Sequence, residues 1–254
     1  MNPFARYPSL TDRTVLVTGG ATGIGETLVR EFAAQGAKVG FLDIAREPGQ
    51  ALARELAGSR HAPLFVECDL TDIAALERAI DAVRERFGPI TVLLNNAAND
   101  QRHSIEDTTP AFWDQAVAVN LKHQFFAARS VAADMKQAGG GSIINFGSVS
   151  WKLKQGGMPA YTTSKAAVQG LTRSLARDFG PFAIRVNTLV PGWVMTDKQI
   201  RLWLTEDGKA EIARGQCINR QLTPQHIAHM ALFLAADDSA MCTAQDFVVD
   251  GGWT

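Results

Sequence analysis

The segment AYTTSKAAV, residues 160–168, carries a tyrosine and a lysine four positions apart in an otherwise plain helical stretch. On a helix, positions i and i+4 stand above one another on one face, so the Tyr161 hydroxyl and the Lys165 amine approach each other. A neighbouring positive charge favours a phenolate and lowers a pKa that is about 10 when unperturbed. A tyrosine treated in this way transfers protons near neutral pH. Taken alone, the spacing is better explained by a packed tyrosine and a solvated lysine, and the remainder of the chain has to shift that balance.

Such a pair needs a rigid frame. Short β-branched or apolar runs recur at 13–18, 37–43, 63–69, 90–96, 141–148, 183–190 and 246–252. Their lack of polar alternation predicts strands covered on both faces, as in a parallel sheet. Between them, helical periodicity runs over about 24–35, 48–57, 73–87, 110–137, 160–179 and 224–236. Strand and helix therefore alternate, which predicts a doubly wound, seven-stranded parallel α/β sheet in one domain spanning 1–254. One stretch, 193–223, breaks the rhythm with amphipathic helical sequence and no strand. An insertion beyond the carboxyl edge of such a sheet is placed to act as a lid.

Composition narrows the partners. With 46% hydrophobic and 20% charged residues and a formal net charge of -1, the chain reads as a soluble globular protein. It offers no electrostatic case for nucleic acid or for an anionic membrane, so a small molecule is the expected partner. Cys68, Cys217 and Cys242 are odd in number and far apart, which suits a reducing compartment better than a disulfide framework or a zinc cluster. The opening MNPFARYPSL lacks an apolar leader core, and no run reaches the length of a membrane span, so the expected location is the cytoplasm.

Directly after the first run comes TGGATGIG, residues 18–25, and then helical sequence. Glycines there let the backbone turn tightly and approach a pyrophosphate, whose charge is met by amides at the helix N-terminus. The spacing of Gly19, Gly23 and Gly25 is G-x-x-x-G-x-G, unlike the commoner G-x-G-x-x-G. Asp43 ends the second run about 20 residues further on, where a carboxylate accepts hydrogen bonds from an adenosine ribose and repels a 2′-phosphate. NAD is therefore the expected dinucleotide, with NADP tolerated to the extent that Arg46 swings toward the phosphate.

TGGATGIG, CDL at 68–70, NNAA at 95–98, Asn120, INFGS ending at Ser148, YTTSK and PGWVMT occur in an order that resembles the short-chain dehydrogenase/reductase family. The resemblance implies a single Rossmann domain, a nicotinamide cofactor and a tetrad of Asn120, Ser148, Tyr161 and Lys165. Tyr161 would take the substrate hydroxyl proton, Ser148 would hold the reacting oxygen, and Lys165 would steady the phenolate and bind the nicotinamide ribose. Asn120 would bond backbone or water and extend a proton path from Lys165. Cofactor contacts would fall on Gly19, Gly23, Ile24, Gly25, Asp43, Asp69, Leu70, Asn96, Ala97, Tyr161, Lys165, Pro191, Gly192, Val194 and Thr196. Among these, Asp69 and Leu70 would bracket the adenine, Asn96 would lie on the adenosine ribose side, and Pro191, Gly192 and Val194 would meet the carboxamide. Thr196 would reach the pyrophosphate or the carboxamide. Ala98 stands where the family usually has glycine, and its methyl would crowd that loop slightly.

Finer stretches, FLDIA, NNAANDQRH, INFGSVSW, WVMTDKQIRLWLT and AQDFVVDGGW, are similar to bacterial aldose 1-dehydrogenases acting on D-xylose or L-arabinose. That likeness implies oxidation of the anomeric C1 hydroxyl of an aldopentose to a lactone. A sugar pocket needs convergent polar groups, since those left unpaired by a wrong substrate penalise it. Asn99, Asp100, Gln101, Arg102 and His103 follow the fourth run at the ligand edge, and Trp151 and Trp193 flank it. Asn99, Ser148, Trp151 and Trp193 are the substrate-contact candidates.

Met158, Trp193, Met195 and Trp203 keep open a steroid, 3-oxoacyl or other alcohol, and a hexose or deoxy sugar is a further option. A dinucleotide sensor without turnover is the reading from another class, opposed by the intact tetrad. His226 and His229 read as helix surface with no completed metal site. In the family the C-terminal FVVDGGWT borders a subunit interface, which implies a homotetramer.

Overall fold

The computed structural model describes residues 4–254; the first three residues of the expected domain lie outside the described part. Seven strands, β1 (Thr14–Thr18), β2 (Lys38–Asp43), β3 (Leu64–Glu67), β4 (Val92–Asn95), β5 (Gly141–Phe146), β6 (Ile184–Pro191) and β7 (Asp246–Val249), form one sheet. All pairs are parallel, in the order β3-β2-β1-β4-β5-β6-β7. The order reverses between β1 and β4, which opens a crevice at the carboxyl edge there.

Alternation along β1 divides the core. Val15 and Val17 face one layer, with Leu28 and Phe32 of α1 (Gly23–Ala34) and Ile227 and Leu232 of α9 (Pro224–Ala235). Leu16 faces the other, with Ile80 of α3 (Ile73–Phe87), Val131 of α5 (His123–Gln137) and Leu175 of α6 (Pro159–Phe179). Because both faces are covered, β1 and β6 are buried at every residue, which is why their sequences read as unbroken apolar runs. α2 (Arg46–Glu55) flanks β3.

One helical expectation needs correction and a second gains detail. The stretch 110–137 is not one regular helix: α4 (Pro110–Val117) and α5 are joined by a π turn over Ala118–Lys122, and Asn120 sits in its middle. A π turn adds one residue to the spiral and is common at functional positions. The insertion at 193–223 is two helices, α7 (Asp197–Leu202) and α8 (Glu206–Gly215), each N-capped by a threonine side chain, Thr196 and Thr205. A lone parallel bridge between Val194 and Leu222 closes the base of this lid. No helix among the described residues is long and apolar enough to cross a membrane.

Candidate active site

One cavity of about 1430 Å³ runs along the carboxyl edge of the sheet, from the loop after β1 to the lid. All the sequence-derived cofactor and substrate candidates line it except Trp151, and Asn120 stands behind its wall.

At one end, Gly19 and Gly23 adopt φ of +65° and +60°, a region that glycine occupies without strain. A Cβ on Gly25 would stand 1.8 Å from the Gly19 carbonyl oxygen, so the first turn of α1 lies directly on the loop only because residue 25 has no side chain. Thr22 makes no side-chain cap bond, which leaves the N–H groups of the first α1 turn for an anion. This cradle fits a dinucleotide pyrophosphate. The Asp43 carboxylate accepts N–H bonds from Ala21 and Ala45 at 2.9 Å each, which pins it at the cleft rim. Arg46 is turned toward Glu67, 3.6 Å away, on the outer side of the sheet.

Three expected contacts and one expected crowding are modified by the surroundings of the groups. The Asn96 amide donates to the carbonyls of Thr18 and Gly19 at 3.0 and 2.9 Å, so its donors brace the glycine loop rather than a ribose. Asp69 accepts from the N–H and hydroxyl of Thr71. Val194 lines the cleft but is buried and packed into the core cluster. Ala98 is exposed on the wall, so its methyl crowds nothing.

At the other end, Tyr161 and Lys165 project from the first turns of α6 toward the end of β5. Lys165 is 1% exposed and its ammonium donates to the Phe146 carbonyl at 2.7 Å. Burial pushes the Lys165 ammonium down to about 7, with the Asp100 charge pulling the other way. Burial also pushes the Tyr161 phenol up to about 12, while a hydrogen bond from the Ser148 hydroxyl draws it down; Asp100 adds to the rise and Arg102 opposes it. The expected lowering by Lys165 is therefore corrected: desolvation dominates, because the ammonium is committed to Phe146 and stands 5.8 Å from the Tyr161 ring centre.

Asn120 is fully buried and clamps Asn99: its Oδ1 accepts the Asn99 N–H at 2.9 Å and its Nδ2 donates to the Asn99 carbonyl at 3.1 Å. The same Nδ2 donates to Ala116. No direct bond joins Asn120 to Lys165. Next to the π turn, His123 is wholly buried, and burial, reinforced by the charge of Lys165, pushes its imidazole down to about 3.

The polar loop after β4 lines the substrate end from Asn99 to His103, together with Ser148, Met158 and Trp193. Trp151 is a correction. It lies in the helical turn begun by the Val149 carbonyl, its indole N–H is buried, and its ring packs under Lys152 rather than on the cleft. Sequence reasoning missed Lys198, Gln199 and Trp253. All three line the cleft, and although they fall in WVMTDKQIRLWLT and AQDFVVDGGW, nothing in either stretch singles them out as site residues. Trp253 is held there by α8, where Gly215 leaves room for its indole. His226 accepts the Thr223 N–H and caps α9.

Residues 19–254 match the family model described as Enoyl-(Acyl carrier protein) reductase. The chain is 47% identical over 249 residues to the D-xylose 1-dehydrogenase of Caulobacter vibrioides, covering 98% of each chain. It is 46% identical over 251 residues to the "Probable galactose dehydrogenase GalD" of Rhizobium meliloti, again covering 98% of each. Among solved structures it is similar to a blue fluorescent protein from a metagenomic library in complex with NADPH, with a TM-score of 0.88 and 30% identity over 97% of this chain and 99% of that one.

Proposed function

The chain belongs to the short-chain dehydrogenase/reductase family and is an oxidoreductase, and we propose that it oxidises the anomeric C1 hydroxyl of an aldopentose, D-xylose or L-arabinose, to the lactone. The observation that carries this reading is the convergence of Ser148, Tyr161 and Lys165 on the cleft that the polar loop 99–103 also lines. The full-length likeness to a D-xylose 1-dehydrogenase supports the choice of sugar.

In this reading Tyr161 accepts the C1 hydroxyl proton as the C1 hydrogen departs with its electron pair. The bound dinucleotide supplies the acceptor for that hydride and a positive charge in its oxidised form. Ser148 donates to the reacting oxygen and aligns it. Lys165, anchored on Phe146, steadies the phenolate and would donate to the hydroxyls of the nicotinamide ribose. Asn120 positions Asn99 rather than passing protons itself. Gly19, Gly23, Ile24 and Gly25 hold the pyrophosphate, Asp43 the adenosine ribose, Asp69 and Leu70 the adenine, and Ala97, Pro191, Gly192 and Thr196 the remaining length. Asn99 and Trp193 contact the sugar, with Trp253 as an added wall.

NAD is the preferred acceptor, because the pinned Asp43 carboxylate repels a 2′-phosphate while Arg46 is drawn to Glu67. A homotetramer completes the reading; Phe125 and Phe182, each more than 40% exposed, are apolar surface that a second copy would cover. The testing experiment is NADH formation by purified protein with D-xylose, L-arabinose, D-galactose, D-glucose and simple secondary alcohols. Saturable turnover with a pentose above all others is expected. Activity confined to an apolar alcohol, or cofactor binding with no turnover on any of them, overturns the reading.

A further inference from the structure

Asp100 follows Asn99, whose main chain is held on both sides by the buried Asn120, so its place on the cleft wall is fixed from beneath. Its side chain is 15% exposed, and both oxygens are bonded to the lid: Lys198 Nζ donates to Oδ1 at 2.7 Å and Gln199 Nε2 donates to Oδ2 at 2.6 Å. α7 has six residues, too few to persist on its own backbone ladder. What holds it across the cleft is its neighbours. The Thr196 methyl at its N-cap lies 3.4 Å from where a Cβ on Gly23 would stand, and the Arg102 guanidinium lies 5.2 Å from the Trp203 ring just past its end. One short helix thus reaches from the glycine loop to the reaction centre, tied in its middle to a single carboxylate.

That carboxylate is also a charge beside the proton-transfer pair. It opposes ionisation of Tyr161 and favours the protonated form of Lys165. Burial pushes the Asp100 carboxyl up, but the bonds from Lys198 and Gln199 with the charges of Lys198 and Arg102 outweigh it and hold it below its ordinary value. An ammonium on a carboxylate cancels most of its field at a distance; a bare carboxylate in a partly dry cleft projects its full charge.

We propose that Asp100 is a positioning residue that couples closure of α7 to proton transfer: with the lid shut, Lys198 and Gln199 hold and partly screen the carboxylate, and with the lid open its unscreened charge opposes the Tyr161 phenolate more strongly. The inference rests on the reading of Tyr161 as the base. Ser148 from just past the end of β5 and Arg102 from the loop after β4, with His123 behind Lys165, are the other groups that face the pair. Only Arg102 touches the lid, through Trp203. The phenolate is therefore best stabilised when water is shut out.

The test uses Asp100→Asn, Lys198→Met and Gln199→Leu in the full-length protein, with two readouts. Limited trypsinolysis reports the lid through cleavage after Arg201, and each variant is expected to be cut there about fivefold faster than wild type with the rest of the chain intact. The midpoint of the rising pH limb of sugar oxidation reports the charge. Asp100→Asn is expected to move it down, and Lys198→Met to move it up, each by about half a unit or more. Unchanged nicking in all three variants overturns the latch. Shifts in the same direction, or no shift in either, overturn the coupling. Should Asp100→Asn fail to fold, Lys198→Met and Gln199→Leu decide alone: both free the lid and are expected to move the midpoint up, Lys198→Met the further because it also removes the screening ammonium, and no upward shift in either overturns the coupling. If no aldose is turned over, the proposed function falls, while nicking and an ultraviolet titration of Tyr161 still test the coupling.

Discussion

Lys165 and Tyr161 are neighbours on one face of α6, yet the ammonium stands 5.8 Å from the tyrosine ring centre and donates to the Phe146 carbonyl at 2.7 Å. In the ligand-free protein the two groups therefore share burial more than they share a proton. Desolvation moves both toward their neutral forms, the phenol upward and the amine downward.

The sequence has only two tyrosines, Tyr7 and Tyr161, so the phenol can be titrated directly. Without cofactor, the ultraviolet difference between wild type and Tyr161→Phe is expected to show a midpoint near 12. A midpoint at or below the ordinary value of about 10 would show that the amine, not burial, governs this group. The same variant is expected to lower kcat about a hundredfold or more with dinucleotide affinity little changed.

Gly25→Ala is expected to collapse the cradle. Its Cβ would meet the Gly19 carbonyl at 1.8 Å and the Asn96 amide at 2.8 Å. Overpacking of this kind destabilises by about 1–3 kcal/mol or more, and dinucleotide affinity should fall about tenfold or more with it. Gly58→Ala, where nothing lies within 4 Å, is the control and should leave both unchanged. Thermal unfolding and a fluorescence titration with NADH measure the pair.

Asp43→Ala removes the charge that disfavours a 2′-phosphate and the acceptor for the Ala21 and Ala45 N–H groups. The NAD to NADP ratio of kcat/KM is expected to drop about tenfold or more. Both values should also fall somewhat as the loop loosens. An unchanged ratio would place the discrimination at Arg46 instead.

His123 predicts an acid sensitivity. Its imidazole is pushed from about 6.5 down to about 3 in the folded chain, so below 6.5 the unfolded chain binds a proton that the native state refuses. Stability is then lost progressively as pH falls from 6.5 toward 3, and no penalty from this group exists above 6.5. Urea unfolding at pH 7.5 and 5 should show a smaller loss in His123→Gln than in wild type. Equal losses would assign the acid limb to other groups.

Much of this protein was legible in one dimension, because the governing physics is local. Unbroken apolar runs mark strands covered on both faces, and β1, β4 and β6 are buried along their whole lengths. Gly19, Gly23 and Gly25 announce a backbone that must pass close to something, and Tyr161 and Lys165 declare a shared helix face. Other features depend on groups that meet only after folding. The π turn that carries Asn120 to Asn99 has no composition of its own, and Trp151 takes its direction from a turn that the Val149 carbonyl closes. Asp100 and Lys198 are 98 positions apart, and nothing near either residue foretells the other. The direction in which Tyr161 is pushed likewise reversed, because charge proximity can be inferred from spacing, whereas desolvation is set by everything that surrounds the group.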